Sequence, residues 1–274
     1  MNILRILARS FSEAFQFTRI LPFFLLYLIP LLAGSVFIIP ILKLSPSIFT
    51  LEISETVLGE VAIYLIPIII ASIIVFFANL WFVGALVHNI QTGENFSPSL
   101  KYSSSIYWHL LAFSLLAIFF SLLIYFVQLG IIFKIIFDIL LFVSIPAIVK
   151  EKNLLKGIKS NFSLVKKRPL QTTLMWILVG VLNIILLFTL LFSITFIFSP
   201  LLTKIFVANP VLNTAETFST EQYVQLVGFI LNNYHYVFLT CVITAFFFSV
   251  ITVFSYTSNT YFFLSISKKN FKFS

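Results

Sequence analysis

Long uncharged apolar runs alternate with short charged segments, and the length of the runs decides the class of the chain. Ile20 to Ile41, Val61 to Val87, Leu170 to Phe198 and Tyr236 to Ile266 contain no Asp, Glu, Lys or Arg. At 1.5 Å rise per residue, about 20 such residues cover the hydrocarbon core of a bilayer. A further apolar stretch, Ile106 to Val149, is too long for one crossing. Its Gln128, Leu129, Gly130 segment offers a turn, so the stretch reads as a helical hairpin, Ile106–Leu129 and Ile131–Val149. The pattern therefore predicts an all-α polytopic bundle of six spans, a single membrane domain over residues 1–274. Pro22, Pro30, Pro40, Pro67 and Pro146 lie in or near the spans. Membrane helices tolerate such prolines because neighbouring groups satisfy the freed carbonyls, and kinks are expected at them.

Between the spans the periodicity changes from continuous to one-sided. KNLLKGIKSNFSLVKK, Lys152 to Lys167, places Leu154, Leu155, Ile158, Phe162 and Val165 on one helical face and the lysines largely on the other. That is a basic amphipathic helix suited to the membrane interface. Residues 1–19 have the same character. There Ile3, Leu7, Phe11, Ala14 and Thr18 recur at helical spacing, while Arg5, Arg9, Ser12, Glu13 and Gln16 point elsewhere. A third and weaker surface helix is expected at Ser99 to Ser105, capped by Ser97 with Pro98 first in the helix. These helices serve to set orientation and anchor the chain, or else to recognise lipid or a partner. For lipid recognition the candidate contacts to anionic headgroups are Lys152, Lys156, Lys159, Lys166, Lys167 and Arg168.

Composition strengthens the membrane reading, because 60% of the chain is hydrophobic and only 9% charged, against about 25% charged in ordinary soluble domains. The net charge of +8 would suggest nucleic acid in a soluble protein, but here the charges sort by side. With six spans one side carries 14 basic and 3 acidic residues and the other 3 basic and 6 acidic. By the positive-inside rule the basic side, with both termini, is cytoplasmic, and a cell inner membrane is the expected location. No nucleic-acid partner is expected. Ala33, Gly34 and Ser35 resemble a signal-peptide cleavage site, yet the apolar run continues past them to Ile41, so the first span reads as uncleaved. The single Cys241 excludes an intrachain disulfide and lies in an apolar run, where a thiol acts as a small hydrophobe.

Two segments echo one another. LWFVGALVHNI, before the first basic loop, resembles LLFVSIPAIVK before the second, and GIKSNFSLV echoes LARSFSEAF at the N-terminus. The architecture reads as three units of surface helix plus hairpin. The run PAIVKEKNLLKGIKSNFSLVKKRPL, with Pro146, Glu151, Lys159, Ser160 and Leu164 in comparable places, resembles the central signature of the membrane-domain family named after glycerophosphodiester phosphodiesterases. GALVHNIQTGENFSPSL and TVFSYTSNTYFFLSI are similar to its corresponding regions. The resemblance implies a stand-alone six-span membrane unit, without the soluble catalytic barrel of the family's name and without an established activity.

Chemical candidates are few. Lys134 and Asp138 are the ionisable residues inside a span, placed by the sequence near its outer end, and at i and i+4 they form either a structural ion pair or part of an ion path. In the last span Cys241, Ala245 and Ser249, continued by Thr252, Tyr256 and Asn259, make a row that either packs between helices or lines a polar cavity. Asn79 and Asn183 are candidates to join it. His88, His109 and His235 have no partner at metal-ligand spacing and read as belt or capping residues. Trp81, Trp108, Tyr102 and Tyr107 read as interfacial anchors. Ser219 with Gln222 suggests a capping box in the long outer loop. No nucleotide, nucleophile-elbow or zinc-protease motif is present, and no cofactor or enzymatic role is expected. The expected function is a membrane or lipid-associated accessory or scaffold protein, the alternative a small-solute or lipid transporter.

Overall fold

The computed structural model describes residues 3–49, 55–126, 130–208, 228 and 232–267. Nine helices follow in these segments: α1 (Ile3–Ala14), α2 (Phe17–Phe49), α3 (Glu55–Thr92), α4 (Phe96–Tyr125), α5 (Gly130–Leu141), α6 (Ser144–Glu151), α7 (Leu154–Lys167), α8 (Pro169–Ala208) and α9 (Tyr234–Ser267). Among the described residues six stretches are long and apolar enough to cross a membrane, with α5 and α6 together forming the fourth, Gly130–Glu151. The fold is an all-α bundle of six such spans. Gln128, Leu129, the Ser219 and Gln222 pair and the C-terminal Lys268, Lys269 and Lys272 lie outside the described residues.

Local chemistry explains the breaks, and in three places it departs from the sequence reading. The N-terminal surface helix ends at Ala14 rather than near residue 19. Gln16 turns the chain there, and its carbonyl accepts from the Arg19 and Ile20 amides at 2.9 and 3.0 Å to start α2. The expected helix at 99–105 is not a separate element but the first turns of α4. Its cap is Asn95 rather than Ser97, so Pro98 falls in the first turn, where a missing N–H costs nothing. Helices α2 and α3 run uninterrupted through Pro22, Pro30, Pro40 and Pro67. The break near Pro146, at Phe142 and Val143, instead separates α5 from α6.

Past that break the chain doubles back. Lys152 adopts a left-handed conformation, with φ 54°, and Asn153 caps α7 by accepting from the Lys156 amide at 3.1 Å. Pro169 opens α8 directly after Arg168, a position where proline's fixed φ suits a helix start.

The chain divides into two compact units, the first comprising 1–23, 77–185 and 249–274, the second 24–76 and 186–248. The first holds most of the buried apolar side chains, and the end of α9 is its axis. From Val250 to Leu264 that helix buries Val253, Phe254, Thr257, Ser258, Thr260, Phe262 and Phe263 almost completely. Phe254 packs edge-on to Phe11 of α1, Phe262 against Phe142 and Phe263 beneath the Lys150 ammonium, so α1, the α5–α6 break and α6 all close on it. Asn183 of α8 donates to Ser255 at 2.9 Å, an interhelical bond to the residue beside the anticipated row. In the second unit Ser35 meets the Tyr234 hydroxyl at 2.8 Å and the Cys241 thiol donates to the Leu31 carbonyl. Cys241, Ala245 and Ser249 are all buried, as packing residues are.

Candidate functional site

The first unit is also the charged one. Over its ranges the sequence carries 15 basic and 4 acidic residues, a net +11, against 2 basic and 5 acidic in the second, a net −3. Lys134 and Asp138 fall together in the first unit, where their charges cancel.

The most basic element, α7, is seated by three residues spaced four apart. Gly157, Asn161 and Val165 are buried against the bundle. At Gly157 a side chain would lie 2.6 Å from Ile148 Cα, so the backbones of α6 and α7 touch where only glycine fits. Asn161 is fully buried and donates to Ser144 Oγ at 2.9 Å and to the Leu140 carbonyl, which the α5–α6 break has deprived of its helical donor. The anticipated single apolar face is therefore split. Val165 faces the protein, whereas Leu155 is 76% and Phe162 42% exposed. Along the helix those two alternate with exposed Lys159 and Lys166, and Lys156, Lys167 and Arg168 are exposed nearby. The result is an outward strip, Leu155, Lys159, Phe162 and Lys166, of two bulky apolar residues interleaved with two cations.

Lys152, counted with that strip in the sequence, points elsewhere. Its ammonium lies 5.0 Å from the centre of the Tyr102 ring, and His88 stacks on the same ring at 3.7 Å. Tyr102 donates to the Val149 carbonyl at 2.6 Å, Gln91 to that of Pro146 at 2.7 Å, and His88 bonds Ser99 at 3.2 Å. Tyr102 is thus a packing residue locking the α3–α4 turn to the α6–α7 turn, not a lipid anchor. Gly93, with φ 77°, makes the α3–α4 turn possible. Trp108, by contrast, is 75% exposed, as an anchor is.

The second surface helix carries a site that the sequence reading put on the wrong face. Helix α1 buries Ile6, Ser10 and Ala14 at the spacing of the α7 row, and with them Leu7 and Glu13. The Glu13 carboxylate accepts from Arg9 at 2.9 Å, from Arg19 at the start of α2 and from the Tyr261 hydroxyl of α9. The Arg9 guanidinium also lies 5.0 Å from the centre of the Tyr261 ring. Burial pushes the Glu13 carboxyl up, but the hydrogen bonds from Tyr261 and Arg9 and the Arg19 charge outweigh it and hold the group below the ordinary carboxylate range. Nothing in the spacing of Glu13 announced this. The signal available was two arginines at −4 and +6 from a lone acid in a basic segment.

Lys134 and Asp138 are ion-paired on one face of α5, both partly exposed. Asp138 is the ninth residue of the 22-residue span Gly130–Glu151, about 12 Å along the helix from its start. It also lines an open cleft of about 410 Å³ between α4, α5 and α9, walled by Phe113, Ala117, Ser121, Tyr256 and Asn259 among others. Among the described residues no group of three or more His, Cys, Asp or Glu side chains is placed to hold a metal ion.

Six stretches long and apolar enough to cross a membrane define this as an integral, multi-pass membrane protein. No protein-family model, curated protein or solved structure matches the chain.

Proposed function

We propose that this is a non-enzymatic protein of the cell inner membrane, with both termini in the cytoplasm, acting as an accessory or scaffold factor on the membrane or its lipids. The single observation that carries the reading is the outward strip on α7. A helix fixed to the bundle by a buried glycine, asparagine and valine presents leucine and phenylalanine interleaved with lysine, the pattern that lies at an anionic lipid surface. The Pro146–Leu170 segment that forms α6 and α7 is also the one resembling the stand-alone membrane-domain family, which favours the same class.

Each lysine near an anionic leaflet contributes about 1 kcal/mol, roughly fivefold in affinity. Protein purified from mixed vesicles of phosphatidylglycerol and phosphatidylcholine is expected to retain the anionic lipid preferentially, and Lys159→Gln and Lys166→Gln each to lower that enrichment about fivefold. Equal enrichment in the double variant would overturn the reading.

Orientation is tested separately, in a Cys241→Ser background. Ser219→Cys is expected to react with an impermeant maleimide in intact cells, and Ser163→Cys only after permeabilisation. The opposite pattern would reverse the topology. A lipid or small-solute permease is the second reading, favoured by the cleft beside Asp138.

A further inference from the structure

Helix α1 carries two apolar faces, and the bundle uses only one of them. Ile6, Leu7, Ser10, Glu13 and Ala14 turn inward. At 3.6 residues per turn, Leu4, Ala8, Phe11 and Phe15 fall together in a separate sector about 60° wide, Phe15 standing one residue past the end of the helix. All four are exposed, Leu4 to 71%. Beyond that sector comes Ser12, also exposed, with exposed Gln16 in the turn that follows. The helix thus has three sides, one against the bundle, one apolar and outward, one polar and outward.

Two observations give the level at which the outward apolar side lies. Phe17, 72% exposed, opens the membrane-spanning stretch Phe17–Phe37 only one residue after Gln16. Phe11 packs edge-on against Phe254 of α9, with ring centres 6.0 Å apart. Phe254 stands about 30 Å along its helix from Tyr234, the thickness of a hydrocarbon core. Helix α1 therefore lies where two spans meet the hydrocarbon boundary. Its roll is set by the bundle, because Arg19 of α2 and Tyr261 of α9 both hold Glu13. Nor does cationic charge dominate its outward side, since Arg9 is engaged by that same carboxylate at 2.9 Å. A helix at this level, with adjoining apolar and polar outward sides, lies in the plane of the interface with its apolar side in the acyl region.

We propose that α1 is half-sunk in the leaflet where the span Phe17–Phe37 begins, with Leu4, Ala8, Phe11 and Phe15 among its acyl chains and Ser12 and Gln16 at its headgroups. The partner is the acyl chain of the bilayer, whatever headgroup it carries. This goes beyond the α7 strip, which meets headgroup charge, and stands if that strip binds nothing.

The test uses the full-length chain in a Cys241→Ser background, spin-labelled singly at Leu4→Cys, Ala8→Cys, Phe15→Cys, Ser12→Cys or Gln16→Cys in nanodiscs of phosphatidylcholine alone. That lipid has no net charge to attract the α7 lysines, so the two readings fail separately. Relaxation by oxygen, which concentrates in hydrocarbon, is compared with relaxation by a water-soluble nickel chelate. The oxygen-to-chelate ratio is expected to be at least about tenfold higher at residues 4, 8 and 15 than at 12 and 16. Ala8→Cys and Ser12→Cys each exchange one small exposed side chain for another, so this pair decides the outcome even if a larger replacement disturbs the helix. Equal ratios at Ala8 and Ser12, whether both favour the chelate or both favour oxygen, would overturn the proposal. So would exclusion of both reagents at Ala8, which would assign the face to a covering protein surface.

Discussion

Replacing Gly157 by leucine is expected to unseat α7 from the bundle and to cost on the order of 3 kcal/mol of stability. A Cβ at this position would stand 2.6 Å from the Cα of Ile148 and 2.8 Å from its nitrogen. Those are backbone atoms of α6, buried on every side, and they have no rotamer to change. Overpacking a rigid contact typically costs 1–3 kcal/mol or more, and the gain in helix propensity over glycine returns only about 1 kcal/mol. The contact also aligns Asn161 with the Leu140 carbonyl, so a shift of α7 leaves that buried acceptor unpaired. Gly180, in α8, is the control. Nothing lies within 4 Å of its would-be Cβ, so Gly180→Ala is expected to be neutral or stabilising by up to about 1 kcal/mol. Thermal unfolding in micelles reads both effects, and limited trypsin digestion after Lys156, Lys159 and Lys166 reads the release of α7. An unchanged midpoint and digestion pattern for Gly157→Leu would show that the contact is not what seats the helix.

Why this glycine escaped notice in the sequence shows what kind of information a hydrophobic pattern holds. Span number was legible because the bilayer sets a minimum run length, and a run such as Leu170 to Phe198 satisfies it whatever its neighbours are. The hairpin within Ile106 to Val149 was legible because charge sorting requires an even number of crossings. Facing was not. In a soluble helix the apolar side is the buried side, so periodicity reveals it. In lipid both the protein-facing and the outward sides are apolar, and small or polar residues fill the tight contacts. Gly157, Asn161 and Ser144 are therefore the interface, while Leu155 and Phe162 point away from it. The prolines are a related case. A carbonyl freed by proline can find another partner, so Pro22, Pro30 and Pro67 leave their helices unbroken and cannot be told by sequence from Pro146.

The same inversion governs the strongest electrostatic prediction, at Glu13. On a helical wheel this acid sits with the polar residues of α1, yet its side chain is only 9% exposed and joins three elements through Arg9, Arg19 and Tyr261. Removing one member of a buried charge pair commonly costs 3–5 kcal/mol, because the other charge is left behind. Here Arg9 is 34% exposed and can turn to water while Arg19, at 16%, is less free, so Glu13→Gln is expected to cost about 2–3 kcal/mol. The effect should concentrate on α1. Hydrogen exchange at Ile6 to Ala14 is expected to accelerate far more than at α7.

The dependence on pH follows from the direction of the shift. The folded carboxyl lies below its ordinary value, so its contribution is complete above the unfolded pKa near 4.3 and disappears as pH falls through the folded value. Protection of α1 is therefore expected to be flat from pH 8 to about 5 and to decline only in acid below that. In Glu13→Gln, which cannot titrate, the decline at α1 should vanish and protection should be low at every pH. If the substituted protein instead kept both its α1 protection and its acid-dependent loss, the latch between the N-terminal helix and the last span would have to be assigned to the apolar contact of Phe11 with Phe254 rather than to the buried carboxylate.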